Sequence, residues 1–190
     1  GFYFRPRIDK GLLEAHSDGL LCLSGCLSSE FSSAVLRGRG DEGELQEAME
    51  IAKWFDGRFG DRYFLEIRNN GSEVQQLVLE GAVEVADKLG LPLAATCDAH
   101  YVDQEDAESQ DVLLCINTGK FRTDANRMKM EGDQFFLRSG QQMLEAMPDQ
   151  EEALRRSQEI ADSVDIDLQL GQRHFPTFHP PEQKEPPDYL

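Results

Sequence analysis

Apolar residues along this chain fall into two alternating periods. Short runs, Leu20-Leu21-Cys22-Leu23, Tyr63-Phe64-Leu65-Glu66-Ile67 and the apolar stretch over 91–96, have the length and composition of buried strands. Between them the spacing becomes helical. Leu45, Ala48, Ala52, Phe55 and Phe59 follow Asp41-Glu42-Gly43-Glu44, which matches a capping box, and stop at Gly60. After the turn Asn69-Asn70-Gly71, Ser72 is placed to cap a long helix carrying Val74, Leu77, Val78, Val85, Ala86 and Leu89, closed by Gly90. Asp103 opens a further predicted helix through Val112, Leu113, Leu114 and Ile116. Phe135-Phe136-Leu137 is predicted as another strand, followed by helices over 140–147 and 150–163.

Strands alternating with amphipathic helices imply βαβ units, a parallel sheet and an α/β fold. Three or four strands are too few to close a barrel of eight. The sheet is therefore expected to need partner strands from outside this segment. From His174 the character changes, because Pro176, Pro180, Pro181, Pro186 and Pro187 put five of eight prolines into the last 15 residues. That stretch is predicted to be an extended connector.

Charge narrows the functional classes. The 190 residues carry 19 Lys and Arg against 36 Asp and Glu, a formal net charge of −17. That balance opposes a basic groove gripping nucleic acid through counterion release, so a phosphodiester substrate would need bound cations or another part of the protein. No apolar run of about 20 residues and no signal-peptide pattern is present. A soluble, cytoplasmic protein is expected, with no membrane partner. The opening Gly1-Phe2-Tyr3-Phe4 reads as cut from a longer polypeptide, with a processed N-terminus as the alternative. Cys22, Cys26, Cys97 and Cys115 lie in apolar segments without the spacing of a secreted scaffold, and are expected to be reduced, buried thiols.

Candidate chemistry gathers after two of the strands. In an extended backbone Asp98 and His100, two positions apart, point the same way and can reach one object, and a carboxylate with a neutral imidazole suits a divalent metal. The same two residues also fit a loop Asp capping the next helix and a His in the core. Gly25-Cys26 follows its strand as Asp98 and His100 follow theirs. Since the C-terminal ends of parallel strands share one edge, the three side chains can converge there. Thiolate, imidazole and carboxylate together favour zinc, with manganese or magnesium as alternatives. Glu66 is a weaker candidate for orienting a ligand or water, set against an ordinary exposed strand end. Near the opening, Arg5, Arg7 and Lys10 form the only compact basic cluster, able to contact a phosphate but read as surface pairing with the surplus acids, and Lys120 is read as a counter-charge at a helix C-terminus.

Several blocks in collinear order resemble one family. They are Gly1-Phe2-Tyr3-Phe4-Arg5-Pro6-Arg7-Ile8-Asp9, Leu23-Ser24-Gly25-Cys26-Leu27, and Phe59-Gly60-Asp61 with Tyr63-Phe64-Leu65-Glu66-Ile67. Gly90-Leu91-Pro92-Leu93-Ala94-Ala95-Thr96 runs into Asp98-Ala99-His100-Tyr101, and Asp111-Val112-Leu113-Leu114-Cys115-Ile116-Asn117-Thr118-Gly119-Lys120 follows. The chain resembles the alpha (catalytic) subunit of bacterial DNA polymerase III, within its polymerase and histidinol phosphatase (PHP) domain. That resemblance implies part of a distorted seven-stranded (β/α) barrel whose strand ends hold a cluster of up to three divalent metals. It implies metal-dependent 3′–5′ exonuclease (phosphoesterase) activity where the ligands are retained, and a scaffold for the polymerase and its proofreading partner where they are lost. Cys26, Asp98 and His100 match family ligand positions.

The departure is one of extent. The family's first His-x-His motif, a middle Glu and further His ligands are expected upstream of Gly1, and the polymerase's catalytic aspartates downstream. His16, His174 and His179 fall in no ligand motif and are read as surface or connector residues. The resemblance divides the chain into the C-terminal part of the PHP barrel (1–122), the end of that domain with helices leading to the polymerase core (123–173), and the connector (174–190). Its implied partners are the rest of the alpha subunit, a sliding clamp and a proofreading subunit, with DNA reached through the whole protein.

Overall fold

The computed structural model describes residues 6–40, 44–168 and 170–172. The capping box at Asp41-Glu42-Gly43, Arg5, His174, His179 and the proline-rich tail lie outside the described residues. The elements run α1 (Lys10–Ala15), β1 (Cys22–Leu23), α2 (Glu30–Gly40), α3 (Gln46–Phe59), β2 (Tyr63–Ile67), α4 (Glu73–Leu89), β3 (Leu93–Ala95), α5 (Ala107–Thr118), α6 (Gly140–Ala146) and α7 (Glu151–Ser163). Single 3-10 turns at Gly60–Arg62 and Gln104–Asp106 lead into β2 and α5.

The sheet is parallel, in the order β1-β2-β3, with Cys22 opposite Tyr63 and Leu65 opposite Leu93. Three strands are found among the described residues where the resemblance implies seven in a closed barrel. Every residue of β2 is buried, as expected for a central parallel strand. Alternation divides its side chains between two faces. Tyr63, Leu65 and Ile67 join Phe31, Val35, Ala48, Ile51, Val78 and Val85 of the helices in the hydrophobic core. Phe64, Glu66 and, beyond the strand end, Arg68 belong to the other face.

Caps explain where the helices stop and start. The Ser72 hydroxyl accepts from the Gln75 N–H (3.3 Å) at the start of α4. Gly90, left-handed at φ 68°, ends that helix. Gly119 closes α5 in the same way, with the Lys120 N–H donating to the Cys115 carbonyl (2.9 Å). Lys10 pairs with Glu30 (2.7 Å) and lies over the Trp54 ring, in accord with surface pairing.

Two helices were not foreseen. In α1, Asp9 caps by accepting from the Leu12 N–H (2.8 Å). In α2, Ser29 accepts from the Ser32 N–H (3.1 Å), and Phe31, Ala34 and Val35 turn inward. The helix packs against α3 and α4. Gly81 of α4 makes that approach possible, since a Cβ there would overlap Val35 Cγ1, and Val35 is fixed in a helix with little rotamer freedom.

The expected strand at Phe135-Phe136-Leu137 is instead one parallel bridge, Tyr101 opposite Phe136. This bridge tethers the loop after β3: the His100 N–H donates to the Phe135 carbonyl (2.7 Å) and the Leu137 N–H to the Tyr101 carbonyl (3.0 Å). Helix α7 lies on β3, with the Ser157 hydroxyl donating to the Ala95 carbonyl. Helix α5 exposes Val112, Leu113 and Ile116 and buries Cys115. No described helix is long and apolar enough to cross a membrane.

Candidate metal centre

Because the sheet is parallel, the loops leaving β1, β2 and β3 emerge at one edge, and three of the chemistry-bearing side chains arrive there. Cys26 sits in the turn after β1, while Asp98 and His100 lie in the loop after β3. All three line one cavity of about 510 Å³, together with Ser28, Asn70, Gln75, Lys129, Glu131 and Phe135. The Asn70 side chain, also in the lining, accepts from the N–H and hydroxyl of Ser72 (3.1 and 2.9 Å).

The route by which Asp98 and His100 meet differs from the extended geometry read from their spacing. β3 ends at Ala95, and Asp98 has φ +53°, alone among the described non-glycine residues in being left-handed. An Asp tolerates that region better than most residues, and such strain recurs at functional sites. The twist lets the His100 ring fold back on its own loop, with Nδ1 2.8 Å from the Asp98 carbonyl oxygen. A carbonyl can only accept, so Nδ1 is the donor in this contact, and in the neutral imidazole this tautomer leaves the lone pair on Nε2. The ring stands edge-on to Phe135, with centroids 5.6 Å apart. His100 is exposed, not a core residue.

Cys26 corrects the expectation of four buried thiols: Cys115 is buried, Cys22 and Cys97 are half-buried, and Cys26 is exposed. Its sulfur lies 3.1 Å from the Ser28 hydroxyl. That contact and the Ser28 backbone N–H hold the thiol below its usual range, against a smaller opposing effect of burial, and the Arg68 charge adds a lesser push in the same downward direction. Cys22, half-buried in the sheet, is pushed the other way by desolvation.

Glu66 also departs from the exposed strand end expected of it, being 6% exposed. Its Oε1 receives Arg68 Nε (2.9 Å) and Nη2 (2.6 Å) and the Thr96 hydroxyl (2.5 Å). Arg68 Nη1 continues to Asp98 Oδ1 at 2.8 Å. Glu66, Arg68, Thr96 and Asp98 thus form one cluster across β2 and β3. Arg68 escaped the sequence reading. The available signal was its position two residues past Glu66, on the same face of the strand.

A metal is implied by the resemblance, and the donors can be tested against it. Thiol, carboxylate and imidazole share one cavity, and the imidazole is held by its other nitrogen as metal-binding histidines commonly are. Their chemistry fits a zinc-type site. Among the described residues, however, no group of three or more His, Cys, Asp and Glu is drawn together closely enough to hold an ion. The residues present fit as part of a cage, not as a whole one.

Comparison with known proteins gives the chain its context. The PHP domain family matches residues 1–70, a span that includes Cys26 and Glu66 and ends before Asp98 and His100. The DNA polymerase III subunit alpha of Borreliella burgdorferi is 40% identical over 165 residues, 87% of this chain and 14% of that protein. The subunit of Treponema pallidum is 36% identical over 184 residues (96% and 15%), and that of Thermus aquaticus 37% over 198 residues (100% and 16%). The chain therefore spans about 14–16% of the length of these curated relatives. With the parallel α/β core and the collinear match across nearly its whole length, the chain belongs to the family of DNA polymerase III alpha subunits, in the region of their PHP domain.

Proposed function

We propose that this chain forms part of a DNA-directed DNA polymerase of the replicative type, and that its strand-end cavity contributes to a metal-dependent 3′–5′ exonuclease, a phosphoesterase acting on DNA ends. The observation that carries this reading is the shared cavity of Cys26, Asp98 and His100 at the C-terminal edge of the parallel sheet. Cys26 would offer a thiolate, Asp98 a carboxylate oxygen and His100 its Nε2 to a divalent cation, zinc first and manganese or magnesium as alternatives. Such a cation, once bound, supplies Lewis acidity to a phosphodiester and acidifies a water near neutral pH. The chain's own residues then divide the remaining work. Ser28 holds the Cys26 thiol below its usual range, the Asp98 carbonyl fixes the imidazole, and Lys129 at the cavity wall adds a positive charge for a phosphate. With a net charge of −17, cations are the natural means of drawing a polyanion to this edge. The remaining ligands, the polymerase centre and the partners, a sliding clamp and a proofreading subunit, would come from other parts of the replicase.

A second reading has its own support. The Glu66–Arg68–Asp98 ion pairs satisfy one another within the chain, as a scaffold that braces the polymerase without metal would require. Chelation separates the two. With a 3′-labelled single strand, the exonuclease reading expects nucleotide release by the full-length protein with zinc or manganese, abolished by a chelator and restored by adding the ion back. Release at background level under every metal condition would favour the scaffold.

A further inference from the structure

Arg68 is 16% exposed at its side chain and joins two carboxylates of different character. Nε and Nη2 both turn to Glu66 Oε1, whose side chain is 4% exposed, and Nη1 alone reaches Asp98 Oδ1. Nε also donates to the Thr96 hydroxyl oxygen at 3.0 Å, which adds a second acceptor on the Nε edge that faces Glu66. Among the described residues, Asp98 Oδ2 has no hydrogen-bond partner.

We propose that Arg68 is the positioning residue of the cation site, holding one oxygen of Asp98 so that the other is available to a divalent ion. This rests on reading the cavity as a cation site. Glu66 cancels the guanidinium charge, so the pair directs a donor at Asp98 without presenting a net positive charge to an incoming ion. The planar fork does this in a way a lysine cannot, because a single ammonium on a flexible stem cannot keep both carboxylates in fixed register. Asp98 needs the restraint more than an ordinary ligand would, since it stands alone in a left-handed backbone with loop on either side. Arg68 touches neither substrate nor ion in this arrangement and acts through Asp98.

Cobalt(II) tests the proposal, because its d–d bands report ligand geometry where zinc is silent. In the full-length protein, Arg68→Gln is expected to weaken cobalt binding about ten- to a hundredfold, the usual consequence of losing a partner behind a metal ligand, and to shift the d–d bands. Arg68→Lys, which keeps the charge and guards against misfolding, is expected to show the same weakening. Asp98→Asn serves as the control. Loss of binding in Asp98→Asn with wild-type affinity and spectrum in a folded Arg68→Gln or Arg68→Lys protein would overturn the role of Arg68 and leave the cation site standing. Tighter binding in Arg68→Gln would also overturn it, since Arg68 would then be a competitor for Asp98. Unchanged binding in Asp98→Asn would bring down the cation site itself, and this inference with it.

Discussion

Replacing Asp98 with Asn and His100 with Ala together should abolish metal-dependent release of 3′ nucleotides by the full-length protein while leaving primer extension largely intact. The two side chains come from one loop, so their removal strips the β3 side of the cavity of its donors and leaves Cys26 on the β1 side. Losing a residue that merely supports a metal ligand costs 10–100-fold, so losing two ligands should cost about a hundredfold or more. The carboxamide of Asn keeps the size of Asp98 and the capacity to accept from Arg68 but not the charge. A fall in trimming would therefore follow from lost charge and donors and not from a collapsed loop. Primer extension is the internal control. Undiminished, metal-dependent trimming by the double variant, once contaminating nuclease is excluded, would remove these residues from the chemistry.

Leu65→Ala should destabilise the 190-residue chain by about 2–5 kcal/mol, the range for emptying a fully buried leucine site. Leu65 is 0% exposed at the centre of β2, with the β1 and β3 strands on either side and core helices beneath it. Its neighbours Tyr63 and Ile67 are equally enclosed, so little is free to fill the void. Urea unfolding followed by fluorescence of the single tryptophan, Trp54, would show a lower midpoint at unchanged slope. A loss below about 1 kcal/mol would mean that this strand is not the packed centre described here. The effect should extend to function, because Glu66, the anchor of the Arg68 cluster, follows Leu65 directly on the same strand.

The parts of this architecture legible in the sequence are those encoded by neighbours. The Ser72 cap and Gly90 stop mark α4 to within a residue, and the apolar residues of β2, broken only by Glu66, mark it as a buried strand. Helix α2 was hidden because Phe31, Ala34 and Val35 are interspersed with serines and glycines, residues that usually signal loops. Its burial depends on Gly81, 46 residues beyond Val35, which no local pattern announces. The same distinction holds at the site. Cys26, Asp98 and His100 could be singled out by residue type and by their place after strands. For Arg68 the sequence offers only its place two residues past Glu66, because its meaning lies in Asp98, 30 residues away, and in a sheet face that only the register of β2 and β3 brings together. The bend at Asp98 was equally invisible, since a spacing of two residues suggests an extended chain and says nothing of a left-handed residue within it.

Zinc-edge anomalous diffraction from crystals of the full-length protein grown with zinc would test most directly whether sulfur, oxygen and nitrogen donors from β1 and β3 serve a common cation cluster. The account expects density in the strand-end cavity, with Asp98 and His100 Nε2 at about 2.0–2.2 Å and Cys26 Sγ at about 2.3 Å from ions of that cluster. An empty cavity at saturating zinc, or ions bound elsewhere while Cys26, Asp98 and His100 stay unligated, would contradict it.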